Sequence, residues 1–167
     1  MHIRDRIKEL RRVPAKDLRP SPRNWRVHPQ AQADALRGVL AEIGFASAVL
    51  ARELEDGSLE LIDGHLRTET APDAEIPVLV LDVNAAEADK ILATFDPLGA
   101  MADADADKLR QLIDEVRIDN LAVTEMLQEL AKETGIMPPN FQPASIDDQG
   151  KLDEKAKAMC PNCGHEF

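Results

Sequence analysis

Three strand-length apolar runs between residues 49 and 83 constrain the fold more than any other feature of the chain. Val49-Leu50-Ala51-Arg52 reads as a strand, Glu55-Asp56-Gly57-Ser58 as a hairpin turn, and Leu59-Glu60-Leu61-Ile62 as the partner strand. Residues 76–83, Ile-Pro-Val-Leu-Val-Leu-Asp-Val, form the most apolar strand, with Pro77 at an edge or strand-start position. Helical periodicity surrounds this block, so the chain belongs to the mixed α+β class.

Residues 2–12 interleave charges with Ile3, Ile7 and Leu10, a spacing that predicts a short basic amphipathic helix. Pro14, Pro20, Pro22 and Pro29 deny continuous helix to residues 13–29, of which 13–18 read as a short edge strand leading to a loop. From Gln30 to Ile43 one helical face carries Ala35, Leu36, Val39, Leu40 and Ile43, with Gly44 as a left-handed stop. Asn84 caps a helix expected to reach Ala93, with Glu87 completing a capping box. Asp103, Asp105 and Asp107 open a second helix with a stripe of Leu109, Leu112, Ile113 and Val116. A third helix spans residues 121–134, with Leu121, Met126, Leu127 and Leu130 inward and Gly135 as stop. Residues 136–157 lose periodicity and read as a linker.

The length of 167 residues suits one domain with appendages. No apolar run is long enough to span a bilayer, and the N-terminus lacks the apolar stretch of a secretory signal. With a single Cys-x-x-Cys pair, this points to a reducing cytoplasm, where such pairs serve as metal ligands or redox groups. The net charge of -11 argues against nucleic acid on average, but the average conceals a split. Residues 1–30 carry nine Arg or Lys against three acids, a net of +6, which leaves -17 for the remainder. Such asymmetry points to polyanion contact at the basic end, or to a solvated arm.

The chemistry concentrates in Leu61-Ile62-Asp63-Gly64-His65-Leu66-Arg67-Thr68, where a strand turns at a Gly into a helix. Free N–H groups at such a helix start favour an anion. Arg67 adds a bidentate grip on phosphate oxygens, and His65 a third donor. Asp63 is placed to hold a metal or orient the imidazole. An unperturbed imidazole changes charge near neutrality, which makes His65 a candidate general acid or base, and Asp63, Glu69 and Asp82 are nearby oxygen donors for a metal. Trp25, between Asn24 and Arg26, is suited to stack on a base or to cover the edge of a small core, and Phe45 belongs in the core.

At the C-terminus Cys160-Pro161-Asn162-Cys163-Gly164-His165 is the knuckle half of a zinc ribbon. Cys160, Cys163 and His165 supply three ligands for Zn. The fourth comes from water, from His28 or Glu166, or from another chain; a homodimer with two thiolates from each copy is an equivalent solution. A tail with two reduced thiols is the metal-free reading.

Four motifs in order resemble the ParB-like family, whose fold is shared with sulfiredoxin. Leu18-Arg19-Pro20 followed by Asn24-Trp25-Arg26 resembles its opening L-x-P-x-x-x-N-x-R, and Leu40-Ala41-Glu42-Ile43-Gly44-Phe45 its S-I-x-x-x-G helix end. Gly64-His65-Leu66-Arg67 is similar to its G-x-x-R turn, and Ile76-Pro77-Val78 to its I-P-V strand. The resemblance implies a small α+β ParB/sulfiredoxin-like domain over 13–84, after a basic arm or helix at 1–12. It is followed by an acidic helical segment at 85–135, the linker at 136–157 and a zinc-knuckle-like tail at 158–167.

In partition proteins the G-x-x-R turn cradles the triphosphate of CTP, and in sulfiredoxin the corresponding turn binds ATP. The resemblance therefore implies phosphates at Gly64, His65, Arg67 and Thr68, with Asn24 and Arg26 lining the same pocket. His65 stands where sulfiredoxin has its nucleophilic Cys, which excludes sulphinate repair. His65 and Leu66 replace the Glu-Arg of partition proteins, and a Glu-Asn-x-Gln-Arg run is missing near Thr94-Phe95-Asp96-Pro97, which counts against CTP hydrolysis. No helix-turn-helix is evident, and residues 85–134 hold twelve acids and five bases, the wrong sign for a duplex.

The variant this chain most resembles is the phage-type domain associated with DNA methyltransferases. The implied function is a nucleotide- or DNA-binding accessory protein in phage or mobile-element DNA transactions. The alternatives are a metal-dependent DNase using His65 and Asp63 with Mg, and a pure adaptor whose acidic helices dock on a basic partner such as a methyltransferase.

Overall fold

Alternating and continuous apolar runs collapse here into one mixed sheet. The computed structural model describes residues 2–136. The strands are β1 (Ile7–Pro14), β2 (Leu18–Arg19), β3 (Val49–Glu53), β4 (Leu59–Asp63) and β5 (Glu75–Leu81), in the order β1-β5-β3-β4-β2. β5 pairs antiparallel with β1 and parallel with β3, while β2 joins β4 in parallel. The helices are α1 (Gln30–Glu42), α2 (His65–Thr70), α3 (Ala85–Ala100), α4 (Ala106–Glu115) and α5 (Leu121–Glu133).

β5 is apolar from Ile76 to Leu81 because it is an inner strand covered on both faces. Ile76, Val78 and Val80 are fully buried with Val49, Ala51 and Leu61 in the main core, against which Phe45 packs. Leu79 and Leu81 face a second cluster with Ile62, Ala88, Ile91 and Leu92. Pro77 occupies the strand start, buried opposite Arg12 and just before the β3 ladder begins at Val78. The β3–β4 hairpin turns at Gly57 (φ +79°), and Arg52 opposite Glu60 makes a cross-strand ion pair at 2.7 Å.

The expected basic helix over residues 2–12 is instead strand from Ile7 onward. A lone short helix is marginal in water, whereas β5 offers a complete ladder to a strand at its edge. The register runs from Ile7 opposite Leu81 to Pro14 opposite Glu75, so residues 7–12 belong to the sheet and not to an arm. The apolar triplet that suggested a helix faces outward, with Ile7 52% and Leu10 61% exposed. A 3-10 turn, Ala15–Asp17, separates β1 from the edge strand β2.

α1 ends at Glu42, and Gly44 (φ +84°) turns the chain as expected. Ile43 lies beyond the helix and is exposed. α3 opens with the capping box, Asn84 and Glu87 exchanging two 3.0 Å hydrogen bonds. It runs past the expected end at Ala93 and carries Pro97 inside, closing where Met101 N–H donates to the Pro97 carbonyl at 3.1 Å. Asp105 caps α4, whose apolar stripe is only half covered: Leu109 and Ile113 are half-buried, while Leu112 is 58% and Val116 44% exposed. On α5 the expected inward face is displaced. Leu121 and Met126 are exposed, while Val123 and Ala131 are buried, because α5 packs against α1 at Gly38, where a missing side chain lets Val123 approach. The linker and the Cys160, Cys163 and His165 motif lie outside the described residues.

Glu87 also ties α3 to the N-terminal segment. Arg6 Nη1 and Nη2 each donate to its carboxylate at 2.8 Å. Hydrogen bonding from Arg6 and from the Asn84 backbone lowers the Glu87 carboxyl from 4.5 to about 2. A lowered carboxyl stabilises the fold above its unfolded value, and that stability is lost as pH falls through the folded one. The denaturation midpoint is therefore expected to drop between pH 4.5 and about 2 more steeply than in Glu87→Gln. Parallel acid limbs would contradict this.

Candidate anion-binding cavity

β4 ends at Asp63, and Gly64 (φ +97°) reverses the chain into α2. Only Gly adopts this left-handed geometry without strain, and a Cβ here would lie 2.8 Å from the Val49 Cβ. The turn therefore sits directly on the core and holds α2 rigidly.

His65 is 5% exposed, and the Ser21 N–H donates to its Nε2 at 3.1 Å. That bond places the ring proton on Nδ1 in a neutral imidazole. Burial holds His65 below its ordinary 6.5, outweighing the upward pull of Glu69 and Asp63. The fold therefore loses stability as pH falls below 6.5, where the unfolded imidazole takes up a proton first. His65→Phe keeps the bulk but orphans the Ser21 N–H. It is expected to cost about 1–3 kcal/mol in denaturant unfolding; an unchanged stability would make the bond dispensable.

Above this turn opens a cavity of about 330 Å³. Its polar side is formed by Asn24, Arg26, His28, Asp63, Arg67 and Asp96, and its apolar side by Leu36, Val39, Ile62, Leu66, Leu92 and Met126. Of the sequence-predicted residues, Asn24, Arg26, Gly64, His65 and Arg67 all line it. Thr68 does not; its hydroxyl donates to the His65 carbonyl at 2.7 Å within the first turn of α2. Arg67 Nη1 donates to the Ala48 carbonyl at 3.0 Å, which fixes the guanidinium in the cavity lining. The Asn24 side-chain oxygen accepts from the Arg26 N–H at 3.2 Å and shapes the loop.

The loop bearing Arg26 is strapped along one face of α3. Arg23 pairs with Asp89 at 2.6 Å, Trp25 Nε1 donates to the Leu92 carbonyl at 3.2 Å, and Arg26 Nε lies 2.8 Å from Asp96. Asp89, Leu92 and Asp96 follow i, i+3, i+7 spacing, a signal that predicts a shared face but not its partner. Trp25 is 55% exposed, with the Arg26 guanidinium 4.9 Å from its ring centroid. Asp96, His28 and the α1 wall are the contributors that the sequence motifs do not announce.

The basic end of the chain is neutralised within the fold. Arg4, Arg6, Lys8, Arg11, Arg19, Arg23 and Arg26 each lie within 3.9 Å of a carboxylate. Of the nine early bases, only Arg12 and Lys16 lack such a partner among the described residues. Also among the described residues, no group of three His, Cys, Asp or Glu side chains is arranged to hold a metal, and no helix is long and apolar enough to cross a membrane.

Strand order, the left-handed glycine turn and the cavity above it define a mixed α+β domain with a ligand-sized pocket of mixed polar and apolar lining. This chain is similar to three solved structures, of which the first shares its architecture. The C-terminally truncated chromosome-partitioning protein ParB from Caulobacter crescentus, complexed with CTP-gamma-S, is 19% identical over 78% of this chain and 81% of its own, with a TM-score of 0.57. Sulfiredoxin from Arabidopsis thaliana is 16% identical over 50% of this chain and 97% of its own, at a TM-score of 0.43. A second Caulobacter crescentus ParB structure, complexed to the centromeric parS site, is 16% identical over 77% and 73%, at 0.45. No protein-family model matches the chain, and no curated protein matches its sequence. The chain has the ParB-like α+β fold.

Proposed function

We propose that this chain is a ParB-like nucleotide-binding accessory protein in DNA transactions, of phage or mobile-element type, whose pocket holds the phosphates of its ligand. The observation that carries this reading is the convergence of Asn24 and Arg26 with Gly64, His65 and Arg67 on one cavity of about 330 Å³. That volume suits a nucleotide-sized ligand. Duplex DNA is the less favoured polyanion, because it needs a row of free cations and seven of the nine early bases are already paired. The apolar part of the lining would take a flat base, and Arg67 and Arg26 its phosphates. A ParB of the same fold is complexed with CTP-gamma-S, so CTP is the first ligand to test, with ATP beside it.

Calorimetric titration of CTP and ATP is the experiment. Losing one charge-assisted arginine contact removes about 1.5–3 kcal/mol, so Arg67→Ala is expected to weaken binding by roughly 10- to 150-fold. A thermal melt checks that the variant is folded. If neither nucleotide binds at about 50 mM salt, where phosphate contacts are strongest, the reading fails.

One observation favours a second reading, that of an adaptor. Leu98, Met101, Leu112 and Leu121 are between 58% and 77% exposed on helices rich in carboxylates. Exposed apolar surface with an acidic surround fits a basic protein partner such as a DNA methyltransferase.

A further inference from the structure

Both arginines of the cavity already face a carboxylate from their own chain. Arg26 Nε lies 2.8 Å from Asp96 Oδ2, and Arg67 Nη2 lies 3.7 Å from Asp63 Oδ2. With histidines counted neutral, the lining carries no net formal charge. An anion therefore gains little from the cavity as a whole and must find one cation it can claim.

The two pairs differ in how easily they part. Arg67 is anchored by the Ala48 carbonyl, and Asp63 stands beyond hydrogen-bond distance from it. Arg26 Nε is buried and close to Asp96, yet the pair is misaligned and makes no hydrogen bond. A buried N–H without an aligned acceptor is costly, so Arg26 is primed for a better-placed oxygen. Asp96 is 44% exposed at its side chain and can turn to water when displaced.

We infer that Asp96 is the specificity-determining counter-ion of this cavity: it neutralises Arg26, and a phosphate-class anion binds by taking its place. The inference rests on the reading of the cavity as an anion pocket. Its consequence is selectivity by charge. A monovalent anion competes poorly with a tethered carboxylate, whereas a pyrophosphate or triphosphate group brings enough charge to displace it.

Titration with inorganic pyrophosphate and with acetate, at constant low salt, tests this on the full chain. Asp96→Asn is expected to bind pyrophosphate roughly fivefold more tightly, since it deletes a partly exposed competing pair, and to bind acetate measurably for the first time. Asp114→Asn removes the same charge from an exposed position on α4 that neither lines this cavity nor pairs with its loop, and is expected to leave affinity unchanged. Unchanged or weaker pyrophosphate binding by a folded Asp96→Asn overturns the inference, as does equal tightening by Asp114→Asn. If Asp96→Asn does not fold, Asp96→Ser carries the same expectation. Wild-type binding without tightening sinks this inference alone; no binding by any form sinks the anion-pocket reading as well.

Discussion

Gly64→Ala is expected to destabilise the domain by roughly 2–5 kcal/mol, the sum of a left-handed backbone penalty and overpacking against the core. Gly64 has φ +97°, a conformation any L side chain adopts with strain. The added Cβ would lie 2.8 Å from the Val49 Cβ and closer still to its Cγ1. Val49 is fully buried between β4 and β5 and has nowhere to move. Gly57 is the internal comparison: its φ is +79°, but nothing lies within 4 Å of a Cβ there. Gly57→Ala should therefore cost only the backbone share, about 1–2 kcal/mol. Denaturant unfolding of both variants decides the matter. Equal losses would show that Val49 yields and that the turn is not held by the core.

Gly38→Ala carries the second large effect, and here two terms oppose each other. Replacing a mid-helix Gly with Ala favours the helix by about 0.5–1 kcal/mol. Against that, the new Cβ would meet the Asn120 side chain at 2.5 Å and Val123 Cγ2 at 2.6 Å. Asn120 is committed as the cap of α5, accepting the Val123 N–H at 3.3 Å, and Val123 is 4% exposed. Overpacking of this kind costs about 1–3 kcal/mol, so the clash is expected to win. Hydrogen exchange should then show α5 losing protection while β5 keeps it. Gly99→Ala on α3 meets nothing within 4 Å and should be neutral or mildly stabilising. Unaltered α5 protection in Gly38→Ala would mean that Asn120 and Val123 absorb the added methyl and that the clash does not win.

Met126 of α5 lines the cavity, so detaching α5 should also weaken ligand binding without touching any arginine. The acidic helices and the phosphate-binding reading are in this way joined through one glycine.

Local signals are legible in the sequence alone. Gly44, Gly57 and Gly64 all take positive φ where the sequence places turns, and the Asn84–Glu87 box forms as its spacing predicts. The hairpin between β3 and β4 and the helix starts at Gln30 and Leu121 follow the same rule. Each rests on residues within about four positions of one another, so its physics is complete in a short peptide. The resemblance added the idea of a shared pocket, and the cavity brings together five of its six residues.

Partners distant in the chain are not legible. Ile3, Ile7 and Leu10 fit a helical period, but β5, some seventy residues away, converts the segment to strand by offering a full ladder. Leu121 and Met126 fit an inward face, but Gly38 sets which side of α5 meets α1.

The chain by itself determines that an α+β fold forms, where it turns, and that a glycine leads β4 into a helix carrying Arg67. It also determines the amount of charge at each end. Tertiary structure alone decides where that charge acts. Arg6 reaches Glu87 across 81 positions, Arg23 reaches Asp89 across 66, and Arg26 reaches Asp96 at 2.8 Å. Charge composition is additive along a sequence, but Coulomb attraction falls with distance in space, which only the folded chain defines.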